Sequence, residues 1–176
     1  AAGKLVMPDP DTAADLYALT QEVTDARGLP AYEISNHARP GCESRHNLTY
    51  WRYGEYVGIG PGAHGRFIEN GRRVVTITER APETWLNFVE ARSHGVVDGE
   101  VLRRSEEADE LLLMGLRLSE GIEVERYERL AGRPLDPARL SVLQQEGLVA
   151  TVGNSRLRAT ASGMAVLDAV VADLAR

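Results

Sequence analysis

The stretch GIGPGAHGRFIENGRRVVTI, residues Gly58 to Ile77, joins a glycine-rich pattern to a turn signal. The first half satisfies G-x-G-x-x-G, which binds a pyrophosphate where a helix begins directly after it. Here Asn70-Gly71 follows, flanked by apolar and β-branched residues, and this predicts a two-residue β-hairpin. The pattern also lacks the Gly-Lys-Ser/Thr ending of a P-loop. The stretch therefore argues against a Rossmann site and excludes a P-loop.

Two roles remain open for these glycines. Missing side chains allow two backbones, or a backbone and a ligand, to approach closely at the end of a strand. In parallel α/β sheets and barrels, ligands bind at the carboxyl ends of strands, so the same residues also suit a strand end beside a cofactor.

The region around this stretch predicts alternating helices and strands. Thr12–Asp15 resembles a capping box, and a helix should follow it. Short strands are predicted at Ala31–Ser35 and, buried, at Tyr56–Ile59, and a helix is predicted from Pro82 to Gly95. Helices alternating with strands indicate an α/β fold.

From about Gly99 the pattern changes to short helices. The predicted helices are Glu106–Leu118 with Ser105 as cap, Glu123–Ala131, and Pro137 to Gly147. A second hairpin, Leu148–Val152 with Arg156–Thr160, precedes a closing helix capped by Thr160. This winged-helix-like order predicts two domains, residues 1–97 and 98–176, with a boundary near Val97.

Composition restricts the classes of function. The chain has 176 residues, 43% of them hydrophobic, which is enough to bury a core. Its one cysteine, Cys42, excludes an internal disulfide framework and any four-cysteine metal site, so an iron-sulfur cluster would have to be held elsewhere. The formal charge of -6 argues against a nucleic-acid partner. No apolar run has the length of a membrane span, and the start lacks both an initiator Met and a secretory signal, so we expect a piece of a longer cytoplasmic protein.

The segment RHNLTYW, Arg45–Trp51, concentrates side chains that bind flat or metal-containing ligands. If it is extended, His46, Leu48 and Tyr50 share one face. Histidine and tyrosine are both axial ligands of haem iron, and residues 39–52 carry a balance of three Arg against one Glu. The alternative is a hydrogen-bonded histidine beside packed aromatic residues.

Three motifs in this order resemble one protein family. They are YEISNHARPG (Tyr32 to Gly41), RHNLTYW, and YVGIGPGAHG (Tyr56 to Gly65). Together they resemble the radical S-adenosylmethionine proteins related to oxygen-independent coproporphyrinogen III oxidase, in the branch of haem chaperones. The resemblance covers essentially the whole chain.

The resemblance implies a fold and a set of cofactors. It implies an α/β plus α+β fold: the C-terminal fragment of a (β/α) barrel in residues 1–97, followed by the family's winged-helix-like C-terminal domain. The full-length family binds a [4Fe-4S] cluster and S-adenosylmethionine through a front half that this chain lacks. An open half barrel would expose a parallel edge, which favours oligomerisation or a rearrangement of the fragment.

The resemblance also implies two sets of site residues. The haem-binding element H-N-x-x-Y-W is met by His46, Asn47, Tyr50 and Trp51, with His46 as the expected iron ligand. The residues expected beside S-adenosylmethionine are Gly58, Gly60, Gly62, Ala63 and His64. The family often has Cys two residues before His-Asn; Ser44 stands there instead, and Cys42 is interpreted as an ordinary loop thiol.

Three functions follow as hypotheses. The first is haem binding and transfer to an apo-protein acceptor, with a membrane protein among the candidate recipients. The second is oxidative decarboxylation of coproporphyrinogen III, for which this chain alone should be inactive without the cluster-binding half. The third is a winged-helix module that binds nucleic acid or protein, although residues 99–176 carry 10 Arg against 13 Asp and Glu.

Overall fold

A computed structural model of the chain describes residues 7–153 and 155–175 and shows a mixed α/β fold. Its first helix, α1, spans Pro10–Asp25. The predicted capping box at Thr12 is wrong, because the helix begins earlier: Asp9 is the N-cap and its carboxylate accepts the amide of Thr12 at 3.0 Å. The hydrogen bond from the Thr12 hydroxyl, followed by that from the Thr12 amide, lowers the pKa of Asp9.

The hairpin predicted at Asn70-Gly71 is confirmed. Strand β1 (His64–Glu69) pairs antiparallel with β2 (Arg72–Thr78), and Asn70 and Gly71 both take positive φ, as a tight turn requires. After the hairpin, α3 (Pro82–Arg92) has the predicted proline start but ends at Ser93, in a left-handed conformation, rather than at Gly95.

A third strand, β3 (Val96–Val101), completes this sheet and was not predicted. It pairs antiparallel with β2, giving the order β1-β2-β3. The sheet therefore extends beyond Val97, the position of the predicted domain boundary. The division into domains stays a prediction.

Two predicted strands do not form. Ala31–Ser35 takes part only in isolated bridges, from Ala31 to His37 and from Glu33 to Leu118. In the segment Tyr56–Ile59, only Tyr56 forms a bridge, and Val57 and Ile59 are 71% and 87% exposed. Both sheets in the described residues are antiparallel. These sheets therefore have no parallel edge from which to expect oligomerisation.

The second half of the chain follows the predicted order of three helices, a hairpin and a closing helix. The elements are α4 (Arg104–Gly115), β4 (Ile122–Glu123), α5 (Val124–Ala131), α6 (Pro137–Gln145), β5 (Val149–Val152), β6 (Arg156–Ala159), α7 (Ala161–Ala165) and α8 (Leu167–Leu174). The sheet has the order β4-β6-β5. Asp136 and Thr160 cap α6 and α7 as predicted.

The helix caps differ from prediction at α4. Ser105 lies inside this helix, whose N-cap is Arg103. The Glu106 carboxylate accepts the Arg103 amide at 2.7 Å, and this satisfies a free donor at the helix start. The closing helix is also split at Val166 into α7 and α8.

The main hydrophobic core lies between α4, α5, α8 and the second sheet. Its most buried members, all 1% exposed or less, are Ala108, Leu112, Leu116, Tyr127, Leu157 and Val170. Among the described residues, Tyr53 is the one fully buried member of this core that precedes Ala108. Tyr53 therefore connects the segment around RHNLTYW to the core of the second half.

Candidate functional site

The segment RHNLTYW is a helix, and the extended conformation considered for it is wrong. Helix α2 spans Arg45–Trp51. Ser44 is the N-cap, and its hydroxyl accepts the amide of Asn47 at 3.3 Å. Ser44 occupies the position where the resemblance often has Cys, so in this protein that position serves to start the helix.

Helix α2 ends in a Schellman motif built on a tyrosine. The amide of Gly54 donates to the carbonyl of Thr49 at 2.8 Å, and the amide of Tyr53 donates to that of Tyr50 at 2.9 Å. The residue between helix and glycine, Tyr53, takes the left-handed conformation with φ 52°. Non-glycine residues adopt this conformation at a cost of about 1 kcal/mol or more, so other contacts must hold Tyr53 there.

His46 and Tyr50 lie one helical turn apart and form an aromatic pair. Nε2 of His46 and the Tyr50 hydroxyl are 3.0 Å apart, and their ring centroids are 4.6 Å apart at 88°. Tyr50 also meets Tyr56 edge to face, at 4.4 Å and 81°. Burial raises the pKa of Tyr56, whereas His46 is exposed. The three rings form a continuous surface with an accessible imidazole at its end.

Asn47 and Trp51 lie on a different side of α2 and face the protein. The Asn47 side-chain amide donates to the Tyr32 hydroxyl at 3.1 Å. Trp51 is half-buried, and the Arg117 guanidinium lies 5.3 Å from its ring centroid. Of the four predicted haem-binding residues, the structure brings His46 and Tyr50 together and gives Asn47 and Trp51 packing contacts.

Tyr53 anchors this helix through a partly buried ion pair between Arg66 and Glu110. Its hydroxyl donates to a Glu110 carboxylate oxygen at 2.8 Å, and Arg66 donates to both oxygens of Glu110 at 3.0 and 3.2 Å. Burial, followed by the hydrogen bond to Glu110, raises the pKa of Tyr53 well above its usual range. Strand β1 and helix α4 are thereby both connected to the end of α2.

At two positions of the glycine-rich stretch, the backbone itself explains why the residue is glycine. A Cβ on Gly58 would lie 2.5 Å from the His64 carbonyl oxygen, so the two backbones need the missing side chain. Gly62 has φ 69°, and its amide donates to the Glu79 carbonyl at 2.7 Å. Close backbone approach, one of the two roles left open, is confirmed for Gly58.

The same stretch lies at the beginning of a strand. Gly60 has φ 101° and open space around it, and the Thr78 hydroxyl donates to its carbonyl at 2.6 Å. The Ala63 amide donates to that hydroxyl at 2.8 Å, and His64 is exposed at the start of β1. A hairpin follows, as expected for a stretch that is no dinucleotide site. The location of these residues beside S-adenosylmethionine stays a prediction.

The thiol and metal chemistry of the described residues is limited. Cys42 is a free, exposed cysteine. Across residues 7–153 and 155–175, no group of three His, Cys, Asp or Glu side chains is arranged to hold a metal ion. A single thiol does not fit a cluster that needs three thiolates, so these residues cannot be its ligand set.

Two further features bear on partners. In the winged-helix-like part of the chain, the Arg139 guanidinium of α6 pairs with Asp173 at 2.9 Å and with Asp136 at 3.6 Å. Its charge is therefore engaged within the protein. No helix in the described part of the chain is long and apolar enough to cross a membrane.

The sequence motifs missed two contacts of the site. Tyr32 and Tyr56 were each interpreted as part of a predicted strand and of a family motif, yet both touch α2. The i, i+4 spacing of His46 with Tyr50, behind a serine at a helix-start position, was the signal that would have identified the helix.

Comparisons with known proteins agree with the resemblance. The HemN C-terminal domain family matches residues 102–166. The chain is 37% identical over 182 residues to the Bos taurus protein "Radical S-adenosyl methionine domain-containing protein 1, mitochondrial", covering 98% of this chain and 41% of that protein. It is 33% identical over 150 residues to "Heme chaperone HemW" of Bacillus subtilis, covering 84% of this chain and 38% of that protein.

A solved structure gives the same result for the fold. The Escherichia coli coproporphyrinogen III oxidase HemN, described as a radical SAM enzyme, matches with a TM-score of 0.68 and 17% identity. The match covers 95% of this chain and 42% of that chain, which confirms the mixed α/β fold class. The chain spans about two fifths of the length of these relatives. It belongs to the radical S-adenosylmethionine family related to HemN, and it corresponds to the part that includes the HemN C-terminal domain.

Proposed function

We propose that this chain contacts haem through α2 and that the family protein it represents serves haem trafficking. The observation that carries the proposal is the exposed imidazole of His46, in contact with Tyr50, whose ring meets Tyr56. The name of the Bacillus subtilis relative, Heme chaperone HemW, states this function for that protein and supports the proposal here.

The chemistry of this surface fits haem as a bound cargo. A neutral imidazole nitrogen is a common ligand of haem iron, and tyrosine rings offer flat faces and edges to a macrocycle. Arg45, the first residue of α2, and Arg39, which precedes the helix, are both exposed and suit the carboxylates of a porphyrin. Arg52, the third arginine of this region, is paired with Glu120 at 2.8 Å and is therefore less available.

Other functions of the whole protein remain proposals of lower rank. The relatives are radical S-adenosylmethionine proteins by name, so we infer a [4Fe-4S] cluster and S-adenosylmethionine in full-length members, with the glycine stretch from Gly58 to His64 beside the latter. The likeness to HemN, at 17% identity, supports the fold and gives no reason to prefer oxidase activity. The cytoplasm remains the expected compartment, although several relatives, the Bos taurus protein among them, are named as mitochondrial.

A haem titration tests the proposal. We expect ferric haem to bind with a defined Soret band, and His46→Ala to weaken binding at least about tenfold, equivalent to about 1.4 kcal/mol, because the iron loses its nitrogen ligand. His94→Ala is the matched control, since His94 is exposed and lies beyond α3. Equal affinity and equal spectra for the His46→Ala variant and the unsubstituted chain would rule out His46 as the ligand.

The Tyr50 hydroxyl gives a second, opposite prediction. Because it lies 3.0 Å from His46 Nε2, coordination through that nitrogen must break their hydrogen bond. Such a bond contributes about 1 kcal/mol, so Tyr50→Phe should tighten haem binding by about fivefold while keeping the ring contact. The check is the same Soret titration. Weakening as large as in His46→Ala would instead identify the tyrosine oxygen as the iron ligand.

A further inference from the structure

Two arginines bind the carbonyl groups at the C-terminal end of α2. Arg126, from α5, donates to the carbonyls of Arg52 at 2.7 Å and Tyr53 at 2.9 Å. Arg73, from β2, donates to those of Tyr53 at 3.1 Å and Gly54 at 3.0 Å. The last carbonyls of a helix have no partners within the helix, and cations near them are favourable.

The same arginines hold the strained residue that ends the helix. The guanidinium carbon of Arg73 lies 3.8 Å from the Tyr53 ring centroid, and that of Arg126 lies 5.9 Å from it. The two cations are close enough for Arg73 to lower the pKa of Arg126, after the larger effect of burial. These contacts account for the left-handed conformation of Tyr53, which an isolated tyrosine rarely adopts.

A second connection reaches the middle of α2 from the same domain. The Tyr32 hydroxyl accepts a hydrogen bond from the Asn47 side-chain amide. The backbone carbonyl of Tyr32 accepts two more, from the Ser119 amide at 3.0 Å and from the Ser119 hydroxyl at 3.1 Å. One residue further, Glu120 accepts two hydrogen bonds from Arg52, at 2.8 and 2.9 Å. Ser119, Glu120 and Arg126 all lie within residues 102–166, the HemN C-terminal domain.

We propose that the HemN C-terminal domain positions the haem-contact helix, with Arg126 as the main positioning residue. One guanidinium spans two successive carbonyls and thereby fixes where α2 ends, while the contacts of Asn47 and Arg52 fix its rotation. With this rotation the ring of Tyr50 rests against Tyr56 and His46 remains exposed. The functional part of this inference rests on the proposed haem contact; the positioning of α2 itself does not.

Amide hydrogen exchange of the haem-free chain tests the positioning. In Arg126→Gln, we expect the amides of Arg52, Tyr53 and Gly54 to exchange at least about tenfold faster, because the end of α2 opens more often. Arg126→Lys should show an intermediate effect, since an ammonium keeps the charge but lacks the planar fork that spans two carbonyls. Arg129→Gln, on the same helix and paired with exposed Glu125, should behave like the unsubstituted chain.

A substitution in the hydrophobic core distinguishes global destabilisation of the protein from a local effect on the position of α2. Leu174→Ala removes a residue that is 2% exposed and lies far in sequence from α2. It should accelerate exchange in α4 and α8 at least as much as in α2, whereas Arg126→Gln should act selectively on α2. Unchanged or non-selective exchange in Arg126→Gln would overturn the proposal.

Haem binding gives the functional readout. We expect Arg126→Gln to weaken haem binding by about tenfold and to change the Soret spectrum, because the imidazole is no longer held in one orientation. If the unsubstituted chain bound no haem, the proposed function would fail, while the exchange data would still decide whether Arg126 positions α2. Selective exchange with unchanged haem affinity and spectrum would overturn the link between the domain and the haem contact.

Discussion

We expect the substitution Tyr53→Ala to lower the free energy of unfolding by about 3–5 kcal/mol, the range for large buried aromatic residues. Tyr53 is 3% exposed and belongs to the main core. Its removal leaves a cavity and takes the hydroxyl partner from Glu110, while alanine still has to adopt the left-handed φ of 52°. Urea denaturation followed by circular dichroism measures this change.

Tyr53→Phe is the matched control for that prediction. It keeps the ring and its contact with Arg73 and loses only the hydrogen bond to Glu110, so the expected loss is about 1–2 kcal/mol. If Tyr53→Ala cost less than 1 kcal/mol, Tyr53 would not be the residue that connects α2 to the core.

Gly121→Ala is the second substitution with a large expected effect, about 2–4 kcal/mol of destabilisation. Gly121 has φ 66°, and a Cβ would overlap the carbonyl oxygen of Leu157 and lie 2.7 Å from Cα of Arg158. Both contacts are with backbone atoms of β6, so no rotation of a side chain relieves them. The measurement is the urea midpoint at constant m-value.

Gly132→Ala separates conformational strain from steric overlap. Gly132 has nearly the same φ, 67°, but no atom within 4 Å of a Cβ placed there. It should cost about 1 kcal/mol from strain alone. Equal destabilisation by the two substitutions would contradict the close approach of Gly121 to β6.

Local turn and cap chemistry made much of the fold predictable. Asn70-Gly71 permits positive φ at both positions and so determines the first hairpin. Asp136 before Pro137 supplies both the cap and the first residue of α6. These signals act within a few residues and need no tertiary contact, which is why they can be identified in the sequence.

Features that depend on distant contacts were not predictable in the same way. Strand β3 is exposed over most of its length, and its pairing with β2 decides its conformation. Helix α2 is rich in aromatic residues, which favour strands, and it ends at Tyr53 rather than at a glycine. The arginines that hold Tyr53 lie 20 and 73 residues away in sequence, so no local pattern reveals them.

The candidate site likewise combines residues that the sequence identified with an arrangement that only the structure shows. The motif identified His46, Asn47, Tyr50 and Trp51, but only a helical arrangement brings His46 and Tyr50 into direct contact and turns Asn47 and Trp51 toward the protein. The third ring of that surface, Tyr56, follows α2 after a short turn, whereas the sequence predicted it as the first residue of a buried strand.

The most direct test of the haem contact is electron paramagnetic resonance of ferric haem bound to protein labelled with ¹⁵N in histidine. We predict a hyperfine coupling from an axial ¹⁵N imidazole in the unsubstituted chain and in His94→Ala, and its loss in His46→Ala. The same axial coupling in His46→Ala, or no axial imidazole coupling in any of the three proteins, would contradict the assignment of His46 as the iron ligand.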